Sequence, residues 1–92
     1  MFKIKYTATM KRNVKKLEKQ GKDLSKLQVV LELLSEGKPL PARYRDHSLT
    51  GNMRMCRECH IEPDWLLAYQ IKKEELILLA VATGSHANLL GM

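Results

Sequence analysis

Apolar side chains occupy every second position from Phe2 to Ala8, and this alternation predicts a half-buried strand. Thr9 is the predicted N-cap of a helix that begins near Met10. The apolar stripe of this helix, at Met10, Val14 and Leu17, is narrow and has lysines around it. Such a stripe is typical of a helix that lies on a surface with one face against a core.

A second helix is predicted beyond Gly21, which ends the first one. Asp23 or Ser25 begins it, and its apolar stripe is wider. Gly37 is a suitable residue just past its end, and the two prolines that follow prevent its continuation. Two helices with so short a connection form a roughly antiparallel hairpin. The second stripe consists of Leu24, Leu27, Val30, Leu31 and Leu34.

Three strand-like segments follow a predicted loop over residues 38–52. The last of them is apolar on both faces, as is typical of a strand buried on both sides. It is therefore the predicted central strand, with the helices covering one face. Residues 83–92 are expected to form a turn and a short helix. The three segments are Met53–Glu62, Trp65–Ile71 and Leu76–Ala82.

The predicted order β-α-α-β-β-β indicates an α+β fold, a small and mostly antiparallel sheet with a two-helix hairpin on one face. The 92 residues are expected to form one domain over residues 1–92. No apolar run approaches the ~20 residues that cross a membrane, and the N-terminus lacks the apolar segment of a signal peptide. We therefore expect a cytoplasmic protein with no membrane partner.

The formal net charge of +6 favours a polyanionic partner, which could be a nucleic acid, an acidic protein or an anionic membrane. Lysine and arginine dominate residues 1–22, where Glu18 is the single acid. A solvated helix face would account for part of this excess, but eight cations against one acid are more than solubility requires. The side chains expected to bind RNA are Lys11, Arg12, Lys15, Lys16, Lys19 and Lys22.

The segment Arg57–Trp65 places a cation, an imidazole, three carboxylates and an indole in succession. Pro63 favours an extended or turn conformation before it, so His60 and Asp64 are expected on a strand end and a hairpin rather than on a helix. Such rims often carry sites, although a solvated hairpin has the same composition. Strict alternation places Arg57 on the apolar face, so either a bulge redirects it or it has a buried partner.

Three histidines, His47, His60 and His86, lie near predicted strand ends, and we expect them to converge on one concave surface. Imidazoles suit general acid–base catalysis near neutral pH. Together with Asp64 and nearby cations they could cleave RNA without metal, through attack of a 2′-oxygen on the adjacent phosphorus. Trp65 either stacks on a base or lies in the core. Isolated surface histidines are the alternative.

The sequence Cys56-Arg57-Glu58-Cys59-His60 fits the C-x-x-C-H haem-attachment pattern. Zinc could also be held by the two cysteines and His60 with His47 or His86. However, residues 56 and 59 of a strand point to opposite faces, and haem attachment requires export. We therefore expect no cofactor, and we interpret Cys59 as a small buried hydrophobe.

The chain contains three spaced motifs, Asp46–Gly51, Arg57–Tyr69 and Thr83–His86. In this order they closely resemble the motifs of the YafQ-type toxins of the RelE superfamily, from type II toxin–antitoxin systems. The resemblance covers nearly the whole chain. It implies a RelE-like microbial RNase fold and a metal-independent mRNA endonuclease that cuts in the ribosomal A site. It also implies neutralisation by a DinJ-like cognate antitoxin, through which the complex contacts operator DNA.

The resemblance also assigns roles to individual residues. Trp65 matches a position that supports the site or stacks on RNA, and Arg57 matches a cation that contacts phosphate. The family often has an aromatic residue four places after the last histidine, where this chain has Leu90, so its base stacking and codon preference are expected to differ. A non-catalytic basic RNA- or DNA-binding module is the alternative function. The matched catalytic positions are His47, His60, Asp64 and His86.

Overall fold

The computed structural model describes residues 1–49 and 56–89 of the chain. Within them the predicted elements occur in the predicted order, with one short strand added. Single 3₁₀ turns lie at Ala42–Tyr44 and Lys73–Glu75. The elements are β1 (Lys3–Tyr6), α1 (Ala8–Lys19), α2 (Leu24–Ser35), β2 (His47–Ser48), β3 (Arg57–Glu62), β4 (Trp65–Lys72), β5 (Ile77–Gly84) and α3 (His86–Leu89).

The described strands form one five-stranded sheet in the order β1-β5-β4-β3-β2. β1 runs parallel to β5, and the other neighbouring strands are antiparallel. The α+β class and the mostly antiparallel sheet are thus confirmed. The prediction that the segment Leu76–Ala82 is central is only partly right. β5 lies inside the sheet between β1 and β4, but β4 occupies the middle because β3 and β2 add strands on its other side.

The first helix begins earlier than predicted, because Thr7 rather than Thr9 caps it. The Thr7 hydroxyl accepts a hydrogen bond from the N–H of Met10 at 2.9 Å. It also donates to the Val81 carbonyl at 2.6 Å, which fixes the corner between strand and helix. β1 consequently stops at Tyr6.

The remaining helix boundaries follow the predicted signals. Asp23, one of the two candidates, caps α2 by accepting from the N–H of Ser25 at 3.0 Å. Gly21 (φ +80°) and Gly37 (φ +75°) have the left-handed backbone expected just past a helix end, where a glycine has no Cβ to clash.

Both helices bury their predicted stripes against the sheet. α1 packs on β5, and α2 lies beside β1 and β3. No helix in the described part of the chain is long and apolar enough to span a membrane. The buried cluster includes Met10, Leu17, Leu27, Val30, Leu31 and Leu34 of the helices, with Trp65, Leu67, Tyr69, Leu78 and Ala80 of the sheet.

The predicted loop over residues 38–52 was wrong in one respect, since it contains β2. This strand pairs with β3, opposing His47 to Glu58 and Ser48 to Arg57. Two polar residues carry no hydrophobic alternation, so their pairing leaves no trace in the sequence pattern. The beginning of the predicted strand, residues 53–55, lies outside the described residues.

Candidate active site

The three histidines converge as predicted, although each belongs to a different element. His47 lies on β2, His60 on β3 and His86 at the start of α3. The ring centroids of His47 and His60 are 6.2 Å apart, and those of His60 and His86 are 5.5 Å apart. The imidazole of His60 is therefore the middle of a row of three.

At one end of the row, His47 faces a buried carboxylate. Its Nε2 lies 3.3 Å from Oε1 of Glu58, a side chain that is only 2% exposed. Its Nδ1 lies 2.8 Å from the carbonyl oxygen of Arg45. Because a carbonyl only accepts, Nδ1 carries a hydrogen and donates it. Glu58 was not predicted as a site residue, because its position opposite His47 depends on the pairing of β2 with β3.

At the other end, His86 faces an exposed carboxylate. Oδ1 of Asp64 accepts from the backbone N–H of His86 at 3.1 Å and lies 3.1 Å from its Nδ1. Asp64 occupies the tight turn between β3 and β4, as Pro63 indicated. These two hydrogen bonds, first the one from the backbone and then the one from the ring, lower the pKa of Asp64. Its carboxylate is consequently charged at neutral pH.

The middle of the row contains unpaired buried atoms. Nδ1 of His60 and Oε2 of Glu58 are buried and have no hydrogen-bond partner among residues 1–49 and 56–89. Side-chain polar atoms of His47, Glu58 and His60, one from each residue, lie within 4.8 Å of one another. Buried polar atoms without partners are uncommon and often mark functional sites.

Arg57 has a partner, which resolves the two interpretations of its position. Its Nη2 donates to Oδ2 of Asp46 at 3.1 Å, and its Nη1 donates to the Ser48 hydroxyl at 2.8 Å. The Tyr69 hydroxyl also donates to Asp46. The hydrogen bond with Asp46 raises the pKa of Arg57. Since Asp46 and Ser48 flank His47, these contacts hold His47 in place; the β-bulge lies further along, between His60 and Glu62.

Trp65 is 1% exposed, so its ring has no free face on which a base could stack. Of the two predicted roles, the structure therefore favours support of the site. Its indole N–H donates to Oγ1 of Thr83 at 3.0 Å, and that hydroxyl donates to the Leu66 carbonyl at 2.7 Å. The backbone N–H of Thr83 donates to Oδ1 of Asn13 on α1. This network ties β4, β5 and α1 together beneath Asp64.

The cysteines are free thiols in the core. Cys59 is fully buried, and this burial raises its pKa to about 12, which keeps the thiolate needed for metal binding out of reach. Cys56 is also buried. The interpretation of Cys59 as a small buried hydrophobe is confirmed, and neither the haem pattern nor a cysteine zinc site gains support.

Cations border the row of histidines on two sides. A pocket beside His60 is lined by Lys26, Arg43 and Arg45, none of which was singled out from the sequence. A cleft beside Asp64 is lined by Lys16 and Lys22. These five cations, here called the basic path, line two clefts that share Glu62, and Lys22 and Lys26 form ion pairs with that carboxylate.

The remaining α1 cations extend this basic surface away from the site. Lys11 and Lys15 line a separate groove between α1 and α2. All five predicted α1 side chains are exposed, and none forms an ion pair with another of the described residues. They are Lys11, Arg12, Lys15, Lys16 and Lys19. Leu90, the departure from the family pattern, lies outside the described residues.

Comparison with known proteins places this geometry in a family. The chain is 39% identical over 89 residues to the mRNA interferase toxin YafQ of Escherichia coli K12, covering 96% of this chain and 95% of that protein. The E. coli DinJ–YafQ complex contains a chain that superposes with a TM-score of 0.89 at 37% identity, covering 99% and 100% of the two chains. A metal-bound toxin from Helicobacter pylori superposes with a TM-score of 0.92 at 42% identity, covering 98% and 100%.

The family model for the bacterial toxin YafQ of type II toxin–antitoxin systems matches residues 2–91. The match covers the helical hairpin and all three motifs that carried the resemblance, so the resemblance is confirmed. The chain therefore belongs to the YafQ family of bacterial type II toxins.

Proposed function

We propose that this chain is an endoribonuclease that cuts mRNA in the ribosomal A site without metal, as the toxin of a toxin–antitoxin pair. The observation that carries the proposal is the row of His47, His60 and His86, in which the central ring has a buried nitrogen with no hydrogen-bond partner within residues 1–49 and 56–89. Such a row supplies a base, an acid and a cation within reach of one phosphodiester.

The roles follow from the partners of each ring. His60 takes the proton of the 2′-hydroxyl, and the 2′-oxygen then bonds to phosphorus. The bond from phosphorus to the 5′-oxygen breaks, and His86 gives that oxygen a proton. The product strand ends in a 2′,3′-cyclic phosphate. Asp64 holds the His86 ring through its Nδ1 at 3.1 Å.

His47 is assigned to charge stabilisation. Its Nδ1 hydrogen is directed to the Arg45 carbonyl, so its Nε2 can hydrogen-bond to the Glu58 carboxylate only if it also carries a proton. The resulting imidazolium stabilises the negative charge that develops on the phosphoryl oxygens. Glu58, shielded from water, keeps this cation oriented.

The basic path supports RNA as the ligand. Arg43 and Arg45 border one side of His60, and Lys16 and Lys22 border the far side of the row. Consecutive phosphates of a single strand could be bound along such a path by charge alone. The phosphate contact expected of Arg57 stays a prediction, because its guanidinium is already bonded to Asp46 and Ser48.

The exposed cations of α1 support binding to the ribosome. We expect the triple variant Lys11→Gln, Lys15→Gln and Lys19→Gln to weaken ribosome binding and to reduce its dependence on salt. The matched control substitutes glutamine for three exposed lysines outside α1, namely Lys3, Lys5 and Lys72. Equal losses from both variants would favour a general effect of net charge over a docking surface.

A cognate antitoxin is the expected protein partner, as in the E. coli DinJ–YafQ complex. Its binding would neutralise the toxin, and operator DNA would be contacted through the antitoxin. The proposal places the protein in the cytoplasm, where ribosomes and nascent mRNA occur together.

The test is cleavage of a defined mRNA in a reconstituted translation reaction, with and without ribosomes, comparing the wild type with His60→Ala and mapping the 3′ ends. Cuts within codons that need ribosomes, end in a cyclic or 3′-phosphate and disappear in the variant are the expected result. The same map gives the codon preference. Ribosome binding without cutting would instead favour a non-catalytic RNA- or DNA-binding module.

A further inference from the structure

A pocket of about 470 Å³ lies beside His60, between α2, the 3₁₀ turn Ala42–Tyr44 and the end of β3. Its volume falls within the roughly 300–1,000 Å³ of small-molecule sites. Its apolar lining includes Val29, Tyr44 and Ile61, and Val29 is 48% exposed although it is apolar. A half-exposed apolar wall next to the row of histidines indicates a place for an apolar part of a ligand.

The guanidinium of Arg43 lies over the ring of Tyr44 in the same pocket. Its Cζ is 4.7 Å from the ring centroid, and its Nη2 donates to the Tyr44 hydroxyl at 3.0 Å. Tyr44 is only 8% exposed, so its ring is a fixed support that covers one face of the guanidinium. The other face is presented to the pocket, since Arg43 is exposed and lines it. A planar cation with one open face is a stacking surface for a nucleobase.

Positive charge surrounds this stacking surface, because Lys26 and Arg45 also line the pocket. Nζ of Lys26 lies 2.7 Å from a carboxylate oxygen of Glu62. The exposed side chain of Arg45, in contrast, forms no ion pair with another of residues 1–49 and 56–89, so it can bind the phosphate of a stacked nucleotide. A nucleotide is the ligand that matches an apolar wall, a planar cation and a basic rim together.

The backbone of the turn connects this pocket to the row of histidines. Arg45 has a left-handed backbone (φ +51°), which is unfavourable for residues other than glycine and is often retained at functional sites. Its carbonyl accepts a hydrogen bond from Nδ1 of His47 at 2.8 Å. The same turn therefore positions both the stacking surface and one end of the histidine row.

We propose that this pocket, here called the base pocket, binds the base of the nucleotide that supplies the attacking 2′-hydroxyl, with that base stacked on Arg43. This assignment rests on the proposed function, in which His60 takes the proton of that hydroxyl. Because His60 lines the base pocket, the base on the 5′ side of the cut is the one that reaches it. The strand on the 3′ side leaves past His86, at the other end of the row.

The binding test uses a trinucleotide probe with 2′-O-methyl groups, which have no proton to give up and so prevent cleavage. The probe carries adenine at its centre and no other base, and a matched probe carries no base at all. In NMR titrations the wild type should bind the adenine probe at least about fivefold more tightly than the abasic probe, as expected for one stacked base. The methyl signals of Val29 and Ile61 should shift with the adenine probe only.

Arg43→Lys tests the stacking surface, because lysine keeps the positive charge but has no planar group. The preference for the adenine probe should fall below about twofold in this variant, while unchanged binding of the abasic probe shows that the site is still folded. Arg12→Lys, the same change at an exposed arginine of α1, is the matched control and should behave as the wild type does. Equal binding of both probes by the wild type would overturn the base pocket. A preference that survives in Arg43→Lys, or is lost equally in Arg12→Lys, would also overturn it.

The cleavage test uses the ribosome reaction with an mRNA that lacks only the base on the 5′ side of the mapped cut. The wild type should cut this mRNA at least about fivefold more slowly than the intact one. Arg43→Lys should cut the intact mRNA at a similarly reduced rate, with little further loss on the abasic mRNA, because both changes remove the same contact. Equally fast cutting of the two mRNAs by the wild type would overturn the base pocket as a substrate site. A protein that prefers the adenine probe but never cuts RNA would contradict the proposed function and leave the base pocket standing.

Discussion

The two ends of the histidine row use the same chemical pair in opposite surroundings. His47 and Glu58 approach to 3.3 Å, and His86 and Asp64 approach to 3.1 Å, while the carboxylates are 2% and 72% exposed. Water screens an exposed pair, whereas a buried carboxylate depends on its partner for the stabilisation that water would have supplied. Distance alone would predict equal effects from removing either carboxylate. Because Glu58 is buried, we expect removal of its charge to reduce activity more than removal of the charge of Asp64.

Each end also has its own supporting hydrogen bonds. Beneath His47, the carboxylate of Asp46 is bonded by Arg57 and Tyr69. Beneath Asp64, Trp65 is bonded to Thr83. Asp46 directly precedes His47 and Trp65 directly follows Asp64, so each support fixes the backbone of the site residue beside it. The site is thus held at two independent points, with His60 between them.

The largest difference should appear when the charge of each carboxylate is removed without changing its shape. We expect Glu58→Gln to reduce ribosome-dependent cleavage by about 100-fold or more, since His47 loses the partner that keeps it cationic and oriented. Asp64→Asn retains an oxygen that can accept from the His86 backbone, so its loss should stay below about tenfold. Rates of cleavage at one mapped codon measure both.

Thermal unfolding and antitoxin binding serve as controls for these two variants, because both should retain the fold. Equal losses of activity in Glu58→Gln and Asp64→Asn would contradict this expectation. The two carboxylates would then contribute equally to cleavage despite their different burial.

Support at the Asp64 end can be tested with Trp65→Phe. The change removes a buried hydrogen bond and leaves a small cavity, so we expect the free energy of unfolding to fall by about 2–3 kcal/mol. Imidazole NMR signals of His86 should shift more than those of His47. Urea unfolding gives the stability, and the exposed Tyr6 supplies the control Tyr6→Phe. An unchanged stability with lost RNA binding would restore the base-stacking role for Trp65.

Support at the His47 end can be tested with Tyr69→Phe. Desolvation of the phenol, followed by its hydrogen bond to Asp46, raises the pKa of Tyr69, so it remains a neutral donor. Loss of this donor leaves Asp46 bonded to Arg57, and we expect a cost of about 1–2 kcal/mol in unfolding free energy. Here the His47 signals should shift and those of His86 should not. A shift at both rings would mean that the two supports are coupled.

The sequence predicted the parts of the molecule that depend on long apolar patterns and on caps. Both helix stripes, the cap at Asp23 and the glycine stops follow from local chemistry that a single sequence displays. The row of histidines was also predictable, because strand ends on one side of a small sheet lie close together.

What the sequence could not predict depends on pairing between strands. β2 has two polar residues and exists because His47 and Ser48 pair with β3 and because Asp46 bonds to Arg57. Alternation placed Glu58 on the polar face, yet it is 2% exposed. Trp65 was ambiguous for the same reason, since a residue beside a turn is buried or exposed according to what packs on it.

The smallest expected effect concerns pH at the exposed end. The folded protein lowers the pKa of Asp64 below its ordinary value, which is about 3.9. The stabilisation from its contact with His86 is therefore fully present above about pH 4 and is lost as the pH falls through the lowered pKa. The backbone amide signal of His86 should show this acidic transition in the wild type and lack it in Asp64→Asn, which has no proton to bind there. Because water screens a carboxylate that is 72% exposed, overall stability should change little between the two proteins across this range. If the free energies of unfolding of the two proteins diverged strongly as the pH falls, the contact of Asp64 with His86 would stabilise the fold as much as the buried contact of Glu58 does.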